Sequence, residues 1–455
     1  MAGDAGAMSE VLEGRVESLD LEGQGVLRHE GKIVFVEGAL PGELVLWERI
    51  RQGRSFDRAR LVQVKRASSA RVQPRCPHFG LQRGACGGCS MQHLDSPSQT
   101  AIKQRALEDA LWHLGRVRPE RVLRPVHGTA WAYRHRARLS VRYVARKAGA
   151  LVGFHERASS FVADMRECHV LAGNVGALLS PLRELVGSMQ LRQRLPQIEV
   201  AVVQDGARQH TVLVFRVLDA LPESDREALE RFGREHDVAV WTQPGGPGTA
   251  APLGPADAAM LTLHLPEYAV ALPFAPTDFT QVNHAVNEIL VRRALSLLAP
   301  TEGERALDLF CGLGNFTLPL ATRTKRTIGI EANAAQLARA GLAASQNRLQ
   351  DRVDFIAQDL FAWTAAHWEA LFDAHQGIER ILVDPPREGA LAVARALAQS
   401  MRRPRRLVYV SCNPATLARD CAVLVHEGGW RLEAAGVVNM FAHTSHVESL
   451  AVLAP

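Results

Sequence analysis

Cys412 lies in YVSCNPATLARD, after a run of β-forming residues and before Asn413-Pro414, a helix-capping residue followed by a first-turn proline. A thiol at the positive end of a helix is biased toward thiolate, the reactive form of cysteine. The alternative is a small side chain that only packs. Cys421, further along the same predicted helix, reads as packing. Glu448 in HTSHVESLAVL opens an otherwise apolar strand. An acid there is either solvated at the mouth of the strand or a base in a site. A thiolate and a base together suit methylation of an unreactive carbon. C5 of uracil becomes nucleophilic once a thiolate adds to C6; after it has taken a methyl group, a base must remove the C5 proton so that the cysteine can leave. The target uridine must be unstacked or flipped to present its C6 face.

A methyl donor needs its own site, and the same half of the chain supplies candidates. The strand LDLF runs into Cys311-Gly312-Leu313-Gly314-Asn315 and then a helix, so the backbone turns sharply and a ligand can approach it. Glu331 ends the next strand, nineteen residues after Gly312, at the distance where an acid accepts hydrogen bonds from ribose hydroxyls. The third glycine of the dinucleotide fingerprint is absent, since Thr317 and Leu318 follow Phe316. Asp359, ending the third strand, could bind an adenine amino group, and together these positions suggest S-adenosylmethionine. Asp384-Pro385-Pro386-Arg387 puts a carboxylate at the carboxyl edge of the sheet. In amino-directed methylases a comparable turn ends in an aromatic residue; here it ends in Arg387.

Three of the seven cysteines, Cys76, Cys86 and Cys89, cluster in CPHFGLQRGACGGCSMQH. Seven are too few for a disulfide scaffold, and a C-x2-C pair with a third cysteine nearby reads as metal or cluster ligation. Two options stand: zinc with His78 or His93 as fourth ligand, or an iron-sulfur cluster completed by Cys168 in DMRECHV.

The elements that would position these groups divide the 455 residues into about three units, as length alone suggests. Short alternating runs from GRVESL to RARLVQVKR, punctuated by glycines, predict five strands of a small OB-like barrel over 1–68. A cysteine loop and an α+β middle domain occupy 69–92 and 127–272, with strands such as HRARLSVRYVA and QIEVAVVQD and a helix in VGALLSPLRELVGSM. A helical segment over 93–126, starting at Ser98, should pack on the last domain. From 273 to 455 strands and helices alternate, the sign of a parallel α/β sheet, closed by GWRLEAAGVVNMF and HVESLAVLA as a hairpin. The helix 333–347 should bury Ala334, Leu337, Ala338, Gly341, Leu342 and Ser345.

Composition agrees with a folded globular chain: 47% hydrophobic and 22% charged residues exclude a disordered, collagenous or coiled-coil protein. No apolar run is long enough for a membrane span, and the first residues lack a signal-peptide pattern, so the expected compartment is the cytoplasm. Net charge is only +5, yet nine basic residues against Asp57 fall between Arg49 and Arg75, and seven against Glu156 between Trp131 and Arg157. Two such stretches, with Trp131, Tyr133 and Tyr143 interleaved, suit a nucleic acid.

In order along the chain, FTQVN, LDLFCGLGNF, DPPREG, YVSCNPATLARD and HTSHVE resemble the motifs of the RNA uracil-C5-methyltransferases, and the resemblance extends over nearly the whole sequence. It is most similar to the branch that modifies uridine 1939 of 23S rRNA. The tRNA-directed relatives lack both a cluster and the N-terminal TRAM segment, and another 23S-directed branch lacks TRAM. The resemblance implies a Rossmann-like class I S-adenosylmethionine-dependent methyltransferase domain behind a TRAM barrel, with 23S rRNA as partner and a monomeric enzyme. By it Cys412 is the nucleophile and Glu448 the base, while Gln281, Phe310, Asn315, Glu331, Asp359 and Asp384 serve the cofactor or the immediate site. It also implies a 4Fe-4S cluster on Cys76, Cys86, Cys89 and Cys168, serving structure and RNA contact. The gap of nine residues from Cys76 to Cys86 is longer than that family's usual one. The competing expectations are an RNA-binding assembly protein with an inactive methylase fold, or a methylase of another uridine in rRNA or tRNA.

Overall fold

The computed structural model describes residues 10–20, 22–147, 149–206, 208–255 and 260–455. Its largest sheet has eight strands in the order Val353–Ala357, Arg326–Glu331, Arg305–Leu309, Arg380–Val383, Arg406–Ser411, Glu448–Ala454, Arg431–Val438 and Arg121–Val122. The first five are parallel. Their centres are nearly continuous Ile, Leu and Val because helices cover both faces. Glu448–Ala454 inserts antiparallel between Arg406–Ser411 and Arg431–Val438, so the expected terminal hairpin completes the sheet. Strand order reverses between Arg305–Leu309 and Arg380–Val383. Chains leaving the carboxyl ends of those two strands diverge, and the crevice between them is where open α/β sheets bind ligands.

The middle region carries a six-stranded sheet, Ala251–Pro252, Ala239–Gln243, Arg208–Arg216, Gln197–Asp205, Arg136–Val144 and Gly149–Gly153, with helices Leu179–Ser188 and Glu223–His236. It is not insulated from the methylase sheet. One core runs from Val203, Val212 and Trp241 through the two-stranded Leu261–Leu265 and Val270–Phe274 to helix His284–Leu298 and then Val408 and Val452. The N-terminal sheet has a core of its own around Leu27, Val36, Val45 and Trp47. It has six strands, because the first predicted run breaks: Val16 N–H donates to Glu43 O and Glu17 N–H to Val26 O, separating Val11–Arg15 from Ser18–Leu19.

Helix Ser96–His113 begins two residues before the expected start, with Asp95 accepting from Ser98 N–H at 2.7 Å as cap. Helix Ala334–Gln346 is where predicted, capped by Asn333, but its buried face differs: Leu337, Ala340, Ala343 and Ala344 face inward, while Ala334, Ala338, Ser345 and Leu342 are exposed. Alanines on both sides made the periodicity ambiguous, and the sheet selects the side that lets the backbone approach most closely. Among the described residues no helix is long and apolar enough to cross a membrane.

Candidate active site and the cysteine-lined cavity

A cavity of about 560 Å³ opens at the reversal of strand order, and Gln281, Phe310, Asn315, Glu331, Asp359, Asp384, Cys412 and Glu448 all line it. Each arrives by a different turn. Phe310 leaves its strand with φ +64° and Gly312 follows at +54°; a left-handed phenylalanine costs energy and marks a site where geometry is imposed. A Cβ on Gly312 would meet no atom within 4 Å, so bare backbone faces the opening. Glu331 is drawn toward this turn, accepting from Gly312 N–H at 3.3 Å and Asn333 N–H at 2.9 Å. Asn315 and Asn287 exchange amide hydrogen bonds at 2.8 and 3.0 Å, which fixes the mouth to helix His284–Leu298. Asp359 caps a short turn through Phe361 N–H at 2.9 Å.

On the opposite wall, Asn413 caps helix Pro414–Ala422 by accepting from Ala415 N–H at 3.0 Å, and Pro414 occupies its first turn, as expected. Cys421 is fully buried in that helix. The thiolate bias expected for Cys412 does not survive its surroundings. Burial, then the nearby Glu448 and Asp384, push its thiol up to about 11, against a smaller opposing pull from Arg387. Burial raises Asp384 to about 7. Glu448, 3% exposed, is held well above the ordinary carboxylate range by burial and by Asp384. Beneath them Asp308, fully buried, is raised to about 8 by burial despite the hydroxyl of Thr317 at 2.5 Å. Burial thus biases these carboxyls toward their protonated forms, a bias that a cation in the cavity would oppose.

A second cavity is lined by Cys76, Cys86, Cys89 and Cys168 together with Phe79, Tyr133, Phe154 and Met165. The long gap after Cys76 closes on itself: Cys86 N–H donates to His78 O at 2.9 Å, leaving the intervening residues as a side loop. Cβ atoms on Gly87 would lie 3.1–3.2 Å from the backbone of Glu156 and Arg157, and on Gly176 2.2 Å from Cys168 O, so glycine is needed for both approaches. Gly88 N–H donates to Cys86 Sγ at 3.3 Å. Burial raises Cys86 to about 11 and Cys89 to about 12, with neighbouring cysteines adding to both. Neither candidate histidine lines this cavity. His78 Nε2 accepts from Arg166 N–H at 3.1 Å, and the His93 ring stacks on Phe79. As the side chains stand, no group of three or more His, Cys, Asp or Glu among the described residues is set to hold a metal ion.

Residues 127–454 match the family model described as tRNA (Uracil-5-)-methyltransferase. A 23S rRNA (uracil(1939)-C(5))-methyltransferase RlmD of Bordetella avium is 54% identical over 98% of this chain and 91% of its own length. The chain belongs to the RNA uracil-C5-methyltransferase family. A Cupriavidus necator protein of the same description is 53% identical over 96% of this chain and 99% of its own. The Pyrococcus abyssi tRNA (uracil-54, C5)-methyltransferase, solved with S-adenosyl-L-homocysteine, superposes with a TM-score of 0.70 and 22% identity, covering 97% of this chain and all of that one. That likeness extends the shared fold over 97% of the chain, so the N-terminal segment does not by itself separate this chain from tRNA-directed relatives, contrary to the expectation from the sequence.

For a uracil-C5-methyltransferase, several cavity residues were not singled out from the sequence, although Phe279 opens FTQVN and His446 lies in HTSHVE. Phe279 and Phe361 line the opening while remaining 70% and 53% exposed. Phe441 and His446 enter from the loop before Glu448, and His446 Nδ1 lies 3.1 Å from an Arg387 nitrogen. The place of Arg387 in the acid-Pro-Pro turn was visible in the sequence, but this partner was not.

Proposed function

We propose that this protein methylates C5 of uridine 1939 in 23S rRNA, with S-adenosylmethionine as donor. The observation that carries the reading is the convergence of Cys412, Glu448 and Asp384, from three different strand ends, on one cavity at the sheet's reversal point, in a chain 54% identical to a 23S uracil-1939 methyltransferase. The cavity suits the donor: its glycine turn leaves room against the backbone, and Glu331, which lines the same cavity, is read as the acceptor for ribose hydroxyls. When bound, S-adenosylmethionine supplies an electrophilic methyl group.

Cys412 adds to C6 of the flipped uracil, and electron density gathers at C5 and O4. Once C5 carries the methyl group, Glu448 takes the C5 proton, the electron pair re-forms the C5–C6 double bond, and Cys412 leaves. Asp384, held near 7, is the neighbour able to exchange a proton with the Cys412 thiol near neutrality. A ribosomal RNA substrate places the reaction in the cytoplasm, and the chain is read as acting as a monomer.

The four-cysteine cavity is read as the site of a 4Fe-4S cluster. A 4Fe-4S cluster, if bound there, would be held by the thiolates of Cys76, Cys86, Cys89 and Cys168 and would tie the cysteine loop to the segment around Cys168. Four cysteines line one cavity, Cys76, Cys86 and Cys168 buried and Cys89 partly so, which suits that ligation; His169 is the one histidine beside them. Anaerobically purified protein should be brown and contain about four irons per chain; zinc without iron would contradict the assignment.

Methyl transfer from labelled S-adenosylmethionine to 23S rRNA lacking its own modifications tests the function. 5-Methyluridine at one position is expected. Label in another nucleoside, or none with the cofactor bound, would remove the reading.

A further inference from the structure

The loop 439–447 joins the last two strands, delivers Glu448 and sends Phe441 and His446 into the reaction cavity. It is gripped from outside by helix Ser96–His113, which buries Gln99, Thr100 and Lys103 at 0, 7 and 1% exposure. Buried polar groups are tolerated only when bonded, and all three bond to this loop. Lys103 Nζ donates to Asn439 Oδ1 and Phe441 O, both at 2.8 Å. Thr100 Oγ1 accepts from Asn439 Nδ2 at 3.3 Å, and Gln99 Oε1 accepts from His443 N–H at 2.8 Å.

Gln99 also faces the other way. Its amide nitrogen donates to Met91 O at 3.0 Å and Leu94 O at 2.7 Å, in the cysteine-rich loop. That loop returns the contact, since Ser90 and Met91 N–H both donate to His443 O at 2.9 and 3.0 Å. Ser90 directly follows Cys89. Tyr133, on the wall of the cysteine cavity, donates its hydroxyl to Ala442 O at 2.8 Å, and the His443 ring lies 4.1 Å from that of Trp131. His443 itself is held at φ +63°, a conformation its surroundings must impose.

We infer that Gln99 is a positioning residue for methyl transfer, clamping the loop that ends at Glu448 to the cysteine-rich loop, so that the filling of the cysteine cavity sets the reach of the base. The second half rests on the cluster reading above. A packed joint of this kind transmits displacement rather than absorbing it, and proton removal from carbon is sensitive to ångström-scale misplacement.

The test uses the full chain, an unmethylated 23S transcript and two variants. Gln99→Met keeps the volume and loses every bond; Gln99→Glu keeps the acceptor for His443 N–H but loses both donors to the cysteine loop and the 3.1 Å contact of the amide nitrogen with His443 Nδ1. In single-turnover assays Gln99→Met should methylate about tenfold or more slowly, with RNA affinity within about twofold of wild type and an accumulating methylated RNA–Cys412 adduct, because elimination is slowed. Stripping iron from the wild type should produce the same slowing, the same adduct and a change in Trp131 fluorescence. Stripping it from either variant should add little, since the coupling is already broken. A wild-type rate in Gln99→Met, or equal losses of rate and RNA affinity without adduct, would overturn the clamp. Slowed variants beside a wild type indifferent to iron removal would overturn the link to the cavity. Iron content of the wild type is measured first: its absence sinks the cluster reading alone, and the variants still test the clamp.

Discussion

The thiol of Cys412 shares its cavity with Asp384 and Glu448, and their charges govern it before any substrate arrives. With the thiol at about 11 against an ordinary 9.0, alkylation of Cys412 in the cofactor-free protein at pH 8 should be slower than that of a free cysteine by about tenfold or more, the loss of thiolate being partly offset by its greater basicity. A rate equal to the free thiol's would contradict this. The same electrostatics predicts pH-dependent cofactor binding. Asp384 titrates near 7, and a sulfonium favours its ionised form, so S-adenosylmethionine should bind up to about tenfold more tightly at pH 8 than at pH 6. S-adenosylhomocysteine, whose sulfur is neutral, should show a smaller change, and calorimetry at the two pH values measures both. All eight residues singled out from the sequence reach the cavity, seven of them from a strand end or the glycine turn and Gln281 from the loop before helix His284–Leu298. Their charge states were not legible. Asp384 and Glu448 come from strands remote in sequence from Cys412, and a local helix terminus is all that the neighbouring residues reveal.

Among the elements, strand Arg305–Leu309 carries the cost of the site. Its Asp308 is fully buried, with a folded pKa of about 8 against 3.8. A carboxyl raised in this way contributes its full stabilisation below pH 3.8 and loses it as pH rises through 8. Asp308→Asn removes that loss. The Tm difference, variant minus wild type, should therefore be several degrees larger at pH 8.5 than at pH 5, and an equal difference at both would contradict the assignment. Capping and strand patterns made the elements readable: Asn333 and Asn413 start helices where expected. Helix Ala334–Gln346 shows the limit, since alanine on two faces leaves orientation to the sheet, as the exposure of Leu342 records.

Across the whole molecule, the first basic stretch finds a place on the N-terminal sheet, whereas the second runs along strand Arg136–Val144 of the middle sheet. Arg51, Arg54 and Arg58 are exposed and make no ion pair among the described residues, and Arg51 stands directly opposite Arg58 in the register. Like charges so placed repel, and a phosphate between them relieves the repulsion. Reversing all three to Glu should weaken RNA binding and flatten the slope of log affinity against log salt by about two units, roughly 0.7 per lost contact; cofactor affinity should not change. An unaltered salt slope would place the RNA elsewhere. The sequence indicated separate units, but the core that joins the middle sheet to the methylase sheet was hidden. Its members lie hundreds of residues apart, and each reads locally as an ordinary strand.

The central claim is that Cys412 attacks the base and Glu448 releases it. Glu448→Gln keeps the shape of the cavity and removes the proton acceptor. Incubated with unmethylated 23S transcript and S-adenosylmethionine, this variant should accumulate a denaturation-resistant protein–RNA adduct whose mass includes one added methyl group, and the further change Cys412→Ala should abolish it. Normal turnover by Glu448→Gln, or an adduct that persists without Cys412, would contradict the account.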